Sequence, residues 1–363
     1  MKHNWTYKKL GDIANIYQPK TLSTDMLVAD GKYLVYGANG VIGRYSEYNH
    51  EEKELLVTCR GATCGTINVS EPYSWINGNA MVVHITDKKV LFDYLKYILK
   101  GIDWSHIITG AAQPQITRQN LAPANIPIPS LDEQQAIVRE LDGINHLIDL
   151  QEEQLREYDR LAQSLFYTTF GDPATNPKGW EVKKLGEVAE VVGGSTPKTS
   201  EEKNWIGTNN WISPAEIKDD DKYISSTERC ISDDAASHLQ LLPIGTVLLS
   251  SRAPIGKLAI TRIPMYCNQG FKNIVCGKTL NNEYAYWYMK FNVGRLQEMG
   301  VGATFKEVSK TIVSAFPIML PPLALQQSFA AQIEAIEQQK ALIRRSLDDT
   351  RTLLAARMQY YFE

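Results

Sequence analysis

The sequence predicts an α+β protein in which two similar α/β domains alternate with two long helices. Two repeated features of the chain lead to this prediction. Mixed strand and helix patterns occupy residues 1–130 and again 171–322, and a continuous helical pattern occupies residues 131–170 and again 323–363. The helices are predicted to pack as an antiparallel coiled coil, which would relate the two halves by a pseudo-two-fold axis.

The first long helix is indicated by side chains that step alternately by three and four positions, the pattern of a heptad seam. The seam residues are Leu141, Ile144, Ile148, Gln151, Leu155, Tyr158, Ala162 and Leu165. Ser130 followed three residues later by Glu133 predicts a capping box at the start. Gly171 after Phe170 predicts a glycine stop at the end. A helix of this length spans roughly 60 Å, which is too long for one compact domain.

The second helix repeats the first at a fixed offset in the numbering. Gln134-Gln135 returns as Gln326-Gln327, which gives an offset of 326 − 134 = 192. The same offset gives a second seam of Ile333, Ile336, Lys340, Ile343, Leu347, Thr350, Leu354 and Arg357. Because neither stripe has a core of its own, the two helices are predicted to bury their seams against each other.

The domains are repeated as well. The opening motif WTYKKLGDIA from Trp5 returns as WEVKKLGEVA from Trp180, so the offset here is 180 − 5 = 175. The larger offset of the helices means that the second copy is longer by 192 − 175 = 17, and we expect the added chain in loops. Period-two patterns predict strands at 54–58, 66–70, 81–85, 246–250, 257–261 and 273–276, and helical patterns predict helices at 91–100 and 283–291.

The short junction between the first helix and the second domain predicts the topology. The second domain begins directly after Phe170, so it should lie at the far end of the first helix, and the second helix has to run back along the first. Two unequal domains held apart in this way suit a long regular ligand such as duplex DNA, which repeats about every 34 Å. The target would be asymmetric, with two blocks separated by a fixed gap.

Composition limits the function further. The chain of 363 residues is 44% hydrophobic and 22% charged, enough to bury two cores. The N-terminal sequence lacks an apolar signal and no run has membrane-spanning length, so we expect a cytoplasmic protein. The net charge of −3 argues against a uniformly basic surface but allows local basic clefts. Five cysteines without CxxC spacing predict neither a disulfide framework nor a zinc site.

Several motifs carry a family resemblance. They are the repeated opening, the segment LLVTCRGATCG at 55–65, the runs QPQI and IPIPSLDEQ within 113–134, and the junction FGDPATNPKGW at 170–180. In their order and repetition the chain resembles the DNA specificity subunit of Type I restriction-modification enzymes over essentially its whole length. The second copy departs from the pattern, because SSRAPIGK replaces CRGATCGT and ATFKEV replaces AQPQIT.

The resemblance implies that each domain is a target-recognition domain for one half of a bipartite site on double-stranded DNA. It implies that the helices bind two adenine methyltransferase subunits and that restriction subunits join this core. The chain itself would be non-catalytic and would bind no cofactor, with S-adenosylmethionine held by the methyltransferase and ATP and magnesium by the restriction subunit. The sequence agrees in that it contains no Asn/Asp-Pro-Pro-aromatic turn, P-loop or GxGxxG loop.

Candidate DNA-binding residues are basic or amide side chains beside predicted turns. They are Arg44, Arg60, Asn77, Gln113, Gln115, Arg118, Lys198, Lys203, Arg252, Lys257, Asn268, Gln269, Lys272, Lys306 and Lys310. Arg60 and Arg252 occupy matching positions, so each is either a contact to the DNA backbone or a brace for its own loop. Asn77 and Asn268 also suit plain turns. Bases should be recognised where the copies differ, as around Arg44 in the first copy and around Lys198 and Trp205 in the second.

Three further hypotheses concern partners and catalysis. Five leucines widen the apolar stripe of the helices, which predicts that they bind helices of other subunits unless they pack on the domains: Leu147, Leu150, Leu161, Leu342 and Leu353. A coiled-coil adaptor whose domains bind proteins or glycans would show the same duplication. Glu216-Ile-Lys218 with the three aspartates after it weakly fits a metal nuclease, although we expect neither catalytic residues nor a metal site.

Overall fold

A computed structural model describes residues 5–110, 113–218, 222–252, 254–302 and 306–362. The chain forms two compact units. Unit 1 comprises residues 1–153 and 344–363, and unit 2 comprises residues 154–343. Each of the two long helices contributes one part of its length to unit 1 and the other part to unit 2.

Unit 1 is an α+β domain with two small sheets. Its strands are β1 (Thr6–Lys9), β2 (Ala14–Tyr17), β3 (Tyr33–Gly37), β4 (Gly40–Tyr45), β5 (Leu55–Thr58), β6 (Ile67–Val69), β7 (Trp75–Ile76), β8 (Ala80–Ile85) and β9 (Asn125–Ile128). Its helices are α1 (Leu10–Ile13), α2 (Phe92–Gly101), α3 (Arg118–Leu121), the first part of α4 (Leu131–Phe170) and the last part of α10 (Leu323–Phe362). One sheet has the order β2-β8-β5-β6, the other has the order β4-β3-β7, and β1 pairs with β9.

Unit 2 repeats this topology. Its strands are β10 (Val182–Lys184), β11 (Ala189–Gly193), β12 (Asn209–Ile212), β13 (Tyr223–Ile224), β14 (Arg229–Ile231), β15 (Val247–Leu249), β16 (Leu258–Thr261), β17 (Tyr266–Cys267), β18 (Lys272–Cys276) and β19 (Pro317–Met319). Its helices are the last part of α4, α5 (Leu185–Val188), α6 (Asp233–Ser237), α7 (Asn282–Phe291), α8 (Val293–Glu298), α9 (Lys310–Ala315) and the first part of α10 (Leu323–Phe362). The sheets have the orders β11-β18-β15-β16-β13 and β14-β12-β17, and β10 pairs with β19.

The two units share their strand pairings as well as their strand order. In each three-stranded sheet the central strand pairs in parallel with the last strand, β3 with β7 and β12 with β17, and antiparallel with the other strand. The strands predicted from the period-two patterns are β5, β6, β8, β15, β16 and β18, and the two predicted domain helices are α2 and α7. The α+β class and the internal duplication are therefore confirmed.

The repeated opening motif has a structural explanation. Leu10 and Leu185, which follow the two lysines, are both fully buried. A Cβ atom on Gly11 would lie 3.0 Å from the Cβ of Ala122, and one on Gly186 would lie 3.1 Å from the Cβ of Ser314. A side chain at either glycine would therefore crowd the segment that precedes the long helix, and glycine allows this close approach.

Helix α4 has the ends that the sequence predicts. The Ser130 N–H donates to Glu133 Oε2 at 3.0 Å, and the Glu133 N–H donates to Ser130 Oγ at 3.3 Å, which is the predicted capping box. After Phe170, Gly171 adopts a φ of 84°, and its N–H donates to the Tyr167 carbonyl at 2.8 Å.

Within each unit the two long helices pair antiparallel, as predicted. In unit 1, Gln151 Nε2 donates to Ser346 Oγ at 2.8 Å, and Arg357 Nη2 donates to Glu140 Oε2 at 3.0 Å. Hydrogen bonds from Arg357 and Tyr361 hold the pKa of the Glu140 carboxyl below its usual value. The partner numbers fall along one helix as they rise along the other.

The helix pairing of unit 2 includes a buried cation. Lys340 lies in the seam with 6% of its surface exposed, and its Nζ is 2.6 Å from Asp159 Oδ1. The rings of Phe166 and Phe329 pack edge to face with their centroids 5.7 Å apart. The polar interruption in the second seam is thus an ion pair within the helix pair.

A buried glutamine joins the start of each long helix to its domain. Gln134 is fully buried; its Oε1 accepts from the Leu91 N–H at 2.9 Å, and its Nε2 donates to the carbonyls of Lys89 at 2.7 Å and Pro129 at 3.0 Å. In unit 2 the fully buried Gln326 forms the equivalent three bonds at 2.8, 3.2 and 2.8 Å. The first glutamine of the repeated Gln-Gln pair therefore bonds the start of the long helix to its domain. We call the three hydrogen bonds of Gln134, and those of Gln326, the latch.

The remaining features of the fold concern cysteines and membranes. All five cysteines are free, and burial raises the pKa of the Cys267 and Cys276 thiols to about 12, so both stay protonated at neutral pH.

Among the described residues, no helix combines the length and the apolar character needed to cross a membrane.

Candidate nucleic-acid interface

In unit 1, the arginine-bearing loop after β5 lies against the segment that precedes α3. Arg60 and Gln115 form an isolated antiparallel bridge, and the Ile116 N–H donates to the Cys59 carbonyl at 2.9 Å. Arg60 is exposed and forms no ion pair within the described residues. The structure therefore brings together two candidate residues, Arg60 and Gln115, that the sequence identified separately.

Unit 2 contains the same bridge with a different charge. Arg252 and Glu307 form the bridge, and both keep the helix offset from their unit 1 counterparts, since 252 − 60 = 192 and 307 − 115 = 192. Glu307 Oε2 lies 3.6 Å from Arg252 Nη1, and its Oε1 lies 3.5 Å from Lys272 Nζ. A carboxylate thus offsets two of the predicted DNA-binding cations. The constant offset could have identified Glu307 from the sequence.

Two of the predicted amide contacts act as braces. Asn77 is 2% exposed, its Oδ1 accepts from the Leu22 N–H at 3.1 Å, and its Nδ2 donates to the Leu22 carbonyl at 2.9 Å. Asn268 Oδ1 accepts from the Gly270 N–H at 2.8 Å in a tight turn. The structure thus corrects the assignment of Asn77 to the DNA surface, because both ends of its buried amide are already used.

Two predicted lysine contacts are likewise engaged in the fold. Lys257 Nζ donates to the carbonyls of Pro214 at 3.0 Å and Ile217 at 2.7 Å, which anchors the chain before β13. Lys272 Nζ lies 3.2 Å from Ser251 Oγ, and its side chain is 14% exposed. Lys257 is corrected from a free cation to a structural one, since backbone carbonyls accept two of its three hydrogen bonds.

The other candidates lie on the surface. Gln113, Arg118, Lys306 and Lys310 are exposed close to the Arg60 or Arg252 bridge in sequence. Four more candidates have partners of their own. Arg44 donates to the carbonyls of residues 31 and 32, Lys198 and Lys203 lie within 4.0 Å of Glu201, and Gln269 accepts from the Thr196 hydroxyl.

The side chains on and around the three-stranded sheet differ between the units. In unit 1, the rings of Tyr33, Tyr48 and Tyr73 pack edge to face on one another, with centroids 5.0 and 5.3 Å apart. In unit 2, the guanidinium of Arg229 lies 3.6 Å from the ring centroid of Trp205. Trp205 lies in a segment expected to recognise bases, whereas Arg229 was missed because nothing in the local sequence links the two residues.

The additional chain of unit 2 falls in this region. The first residues of β2 and β11 differ in number by 189 − 14 = 175, whereas those of β5 and β15 differ by 247 − 55 = 192. The insertion therefore lies between β11 and β15, in the segment that builds β12, β13 and β14. Part of it is a strand, β13, so the expectation that it lies only in loops was too narrow.

The five leucines predicted to bind partners are exposed. The exposed fractions of Leu147, Leu150, Leu161, Leu342 and Leu353 are 46, 53, 51, 63 and 49%. Since 342 − 150 = 192 and 353 − 161 = 192, four of them form two equivalent pairs. Leu150 and Leu353 lie in unit 1, and their counterparts Leu342 and Leu161 lie in unit 2, so each unit exposes an equivalent set. The alternative that these side chains pack on the domains does not hold.

The nuclease hypothesis receives no support from Glu216. Its Oε1 accepts from the Ser213 N–H at 2.8 Å in a capping box, and its Oε2 accepts from the Glu228 N–H at 2.9 Å. The aspartates at 219–221 lie outside the described residues. Within the described ranges, no group of three or more His, Cys, Asp or Glu side chains is arranged to hold a metal ion.

These features define a class of protein. Two unlike copies of one α+β domain, each with an arginine-bearing loop and each packed with antiparallel segments of the two long helices, define a duplicated domain-helix protein. The family model described as Type I restriction modification DNA specificity domain matches residues 2–158 and 177–349, and the chain belongs to this family.

Known relatives and solved structures agree with this membership. The Type I restriction enzyme MjaIX specificity subunit of Methanocaldococcus jannaschii is 38% identical over 159 residues, 42% of this chain and 37% of that protein. The putative MjaX specificity subunit of the same organism is 22% identical over 284 residues, 71% of this chain and 64% of that protein. Each alignment thus spans less than two thirds of the relative.

The fold is similar to that of solved specificity subunits. The Type I restriction-modification S subunit from M. genitalium superposes with a TM-score of 0.63 at 15% identity, covering 99% of this chain and 96% of that one. A chain from a structural study of assembly and conformational transition in a type I system gives a TM-score of 0.64 at 19% identity, covering 99% and 97%. At these identities the likeness concerns the fold alone.

Proposed function

We propose that this chain is the sequence-specific DNA-recognition subunit of a Type I restriction-modification complex. Units 1 and 2 each recognise one part of an asymmetric bipartite site on double-stranded DNA, and the long helices set the unread gap. The observation that carries the proposal is the arginine-bearing bridge, which is present once in each unit at equivalent positions, after β5 and after β15, while the three-stranded sheets of the two units differ in sequence. In this proposal the residues that both units share contact the DNA backbone and orient the protein on it. The residues that differ between the units distinguish the two half-sites.

In this proposal methylation and cleavage belong to partner subunits in the cytoplasm. The methyltransferase subunits hold S-adenosylmethionine and flip the target adenine, and the restriction subunits hold ATP and magnesium. This chain binds no cofactor and supplies no catalytic residue. Glu216, the carboxylate of the nuclease hypothesis, already accepts hydrogen bonds from the Ser213 and Glu228 N–H groups.

The exposed leucines are the proposed contacts to two methyltransferase subunits. Leu150 of unit 1 is equivalent to Leu342 of unit 2, and Leu353 of unit 1 is equivalent to Leu161 of unit 2, so each unit offers the same exposed leucines, which suits two copies of one partner. Exposed leucines at such spacing are typical of helix-to-helix contacts between subunits.

Substitution of these leucines tests the proposed contact. Leu150→Asp and Leu342→Asp should each weaken one methyltransferase binding event by roughly 30-fold or more, the effect of disrupting a central apolar contact. Gln163→Asp, at an exposed position of α4 that points away from the face of Leu150 and Leu161, is the matched control and should bind normally. Titration followed by mass photometry counts the bound subunits. Unchanged binding of both leucine variants would show that the methyltransferase docks elsewhere.

Mapping methylated adenines in a host that carries only this chain and its methyltransferase tests the central proposal. A motif of two short blocks with a constant gap is the expected result. The purified complex should bind duplex DNA of that motif with a steep dependence on salt, because phosphate contacts release counterions. An adaptor for proteins or glycans would instead produce no motif and no sequence preference.

A further inference from the structure

Arg229 is held on a platform of two tryptophans at the edge strand of the small sheet in unit 2. Its guanidinium carbon lies 3.6 Å from the ring centroid of Trp205 and 5.3 Å from that of Trp211, and the two indoles pack edge to face at 5.0 Å. Arg229 on β14 also faces Trp211 on β12 across the strand pair. The arginine is therefore fixed by its backbone and by its side chain.

The platform itself is anchored to the chain before β12. Trp205 Nε1 donates to the Lys198 carbonyl at 3.3 Å, and Trp211 Nε1 donates to the Ser195 carbonyl at 3.2 Å. Trp211 is 2% exposed, so it forms the floor of the platform. Stacking on indole stabilises a guanidinium and limits its rotamers without using its N–H groups.

The guanidinium N–H groups of Arg229 have no partner in the described part of the chain. Arg229 is exposed and forms no ion pair or side-chain hydrogen bond there. Among the described residues, two of the other three arginines that lie over rings are paired: Arg262, 3.9 Å from the ring centroid of Tyr223, donates to Glu334 at 2.8 Å, and Arg357 donates to Glu140. The third, Arg295, lies farther from its ring, 5.6 Å from the centroid of Phe316. The guanidinium groups of Arg262 and Arg357 are both stacked and ion-paired, whereas the guanidinium of Arg229 is stacked with its N–H groups exposed to solvent.

The position of Arg229 separates it from the shared framework. It lies in the segment whose length differs between the units, between β11 and β15. In unit 1 the equivalent strand, β4, carries Arg44, which donates to backbone carbonyls at 3.2 and 3.3 Å. A contact to phosphate would suit the framework arginines that both units share. A rigid fork in a segment specific to one unit suits base recognition.

We propose that Arg229 recognises a guanine of the half-site bound by unit 2, through two hydrogen bonds from its guanidinium to O6 and N7 in the major groove. This geometry is the commonest specific contact between arginine and DNA, and it requires a planar fork held in one orientation. Trp205 and Trp211 position the fork. The inference rests on the proposed function and adds to it one named base and one named residue.

The test is to compare the methylated motif of complexes carrying Arg229→Ala, Arg229→Lys and the wild-type chain. Both variants should lose the preference for guanine at one position of one block by about 10-fold or more, while the other block stays unchanged. Arg229→Lys keeps the charge but cannot donate two parallel hydrogen bonds. Arg262→Lys is the matched control, since this arginine is also stacked but is already paired, and it should leave the motif intact.

Several results would overturn the inference. An intact motif in Arg229→Ala, relaxation at an A·T pair, or uniform weakening on all sequences would each exclude a guanine contact, the last because it indicates a phosphate contact. Failure of Arg229→Lys to fold or assemble would make the residue structural. A wild-type complex without any two-block motif would overturn the proposed function too, whereas a normal wild-type motif that the variants do not alter would refute the role of Arg229 alone.

Discussion

Replacing Gln134 by leucine should strongly destabilise unit 1. The side chain is fully buried at the start of α4, and its amide forms three hydrogen bonds to the backbone at 2.7 to 3.0 Å. Leucine has a similar size but forms none of them. The substitution leaves the Leu91 N–H and the carbonyls of Lys89 and Pro129 without their partner.

The magnitude follows from the burial of these groups. A buried polar group left without a partner costs about 1–3 kcal/mol, and partly exposed groups cost less because water reaches them. One of the three bonds is buried and two are partly buried, so the loss should be about 3–5 kcal/mol. That is a large share of the roughly 5–15 kcal/mol that stabilises a typical domain.

Amide hydrogen exchange of the full chain, followed by mass spectrometry, measures this loss locally. Peptides from α2 and from the first turns of α4 should lose protection in Gln134→Leu, and the equivalent peptides of unit 2 should do so in Gln326→Leu. Gln135→Leu is the matched control, because Gln135 is the exposed neighbour on the same helix. If Gln134→Leu costs less than about 1 kcal/mol, or no more than the control, the latch does not hold the helix.

Three further predictions concern charge and DNA contacts. Lys222→Met should lower the free energy of unfolding in urea by about 3–5 kcal/mol, because the largely buried Glu283 carboxylate, 2.7 Å from Lys222 Nζ, loses its cation, while Glu337, at 3.6 Å, keeps Lys340. Lys203→Met, at an exposed site, should be nearly neutral. Burial lowers the pKa of His50, so the unfolded state binds its proton first, and stability should fall as the pH drops below about 6.5; His50→Gln should flatten that slope between pH 5 and 7. Arg60→Ala should weaken DNA binding on all sequences and reduce the salt slope by about 1 without altering the motif, and a relaxed motif would contradict its role in the framework.

The long helices could be predicted from sequence because their signals are local. The start of α4 is predicted by Ser130 and Glu133, three residues apart, and its end is predicted by Gly171. The seam and the exposed leucines follow from helical periodicity, and the constant offset between the copies transfers each to α10. These elements need no knowledge of distant contacts.

The binding surface could not be predicted in the same way, since it depends on contacts between residues distant in sequence. Asn77 is a brace because of Leu22, 55 residues away, and Lys257 is one because of carbonyls 40 and 43 residues away. Arg229 gains its platform from Trp205, on a different element. Residue type alone does not distinguish a side chain that is free to bind DNA from one whose polar atoms are already bonded within the fold. The sequence therefore predicted DNA contacts for Asn77 and Lys257 and missed Arg229.

The length difference between the units has a consequence for how this protein can change. All of the additional chain in unit 2 lies between β11 and β15, whereas the Arg252 bridge and the Gln326 latch keep the register of their unit 1 counterparts. Mutation or genetic exchange can therefore change the segment between β11 and β15 without changing the residues that attach the domain to the helices. A replacement segment would still have to supply apolar side chains where Ile212 and Ile224 now pack in one cluster with Leu248.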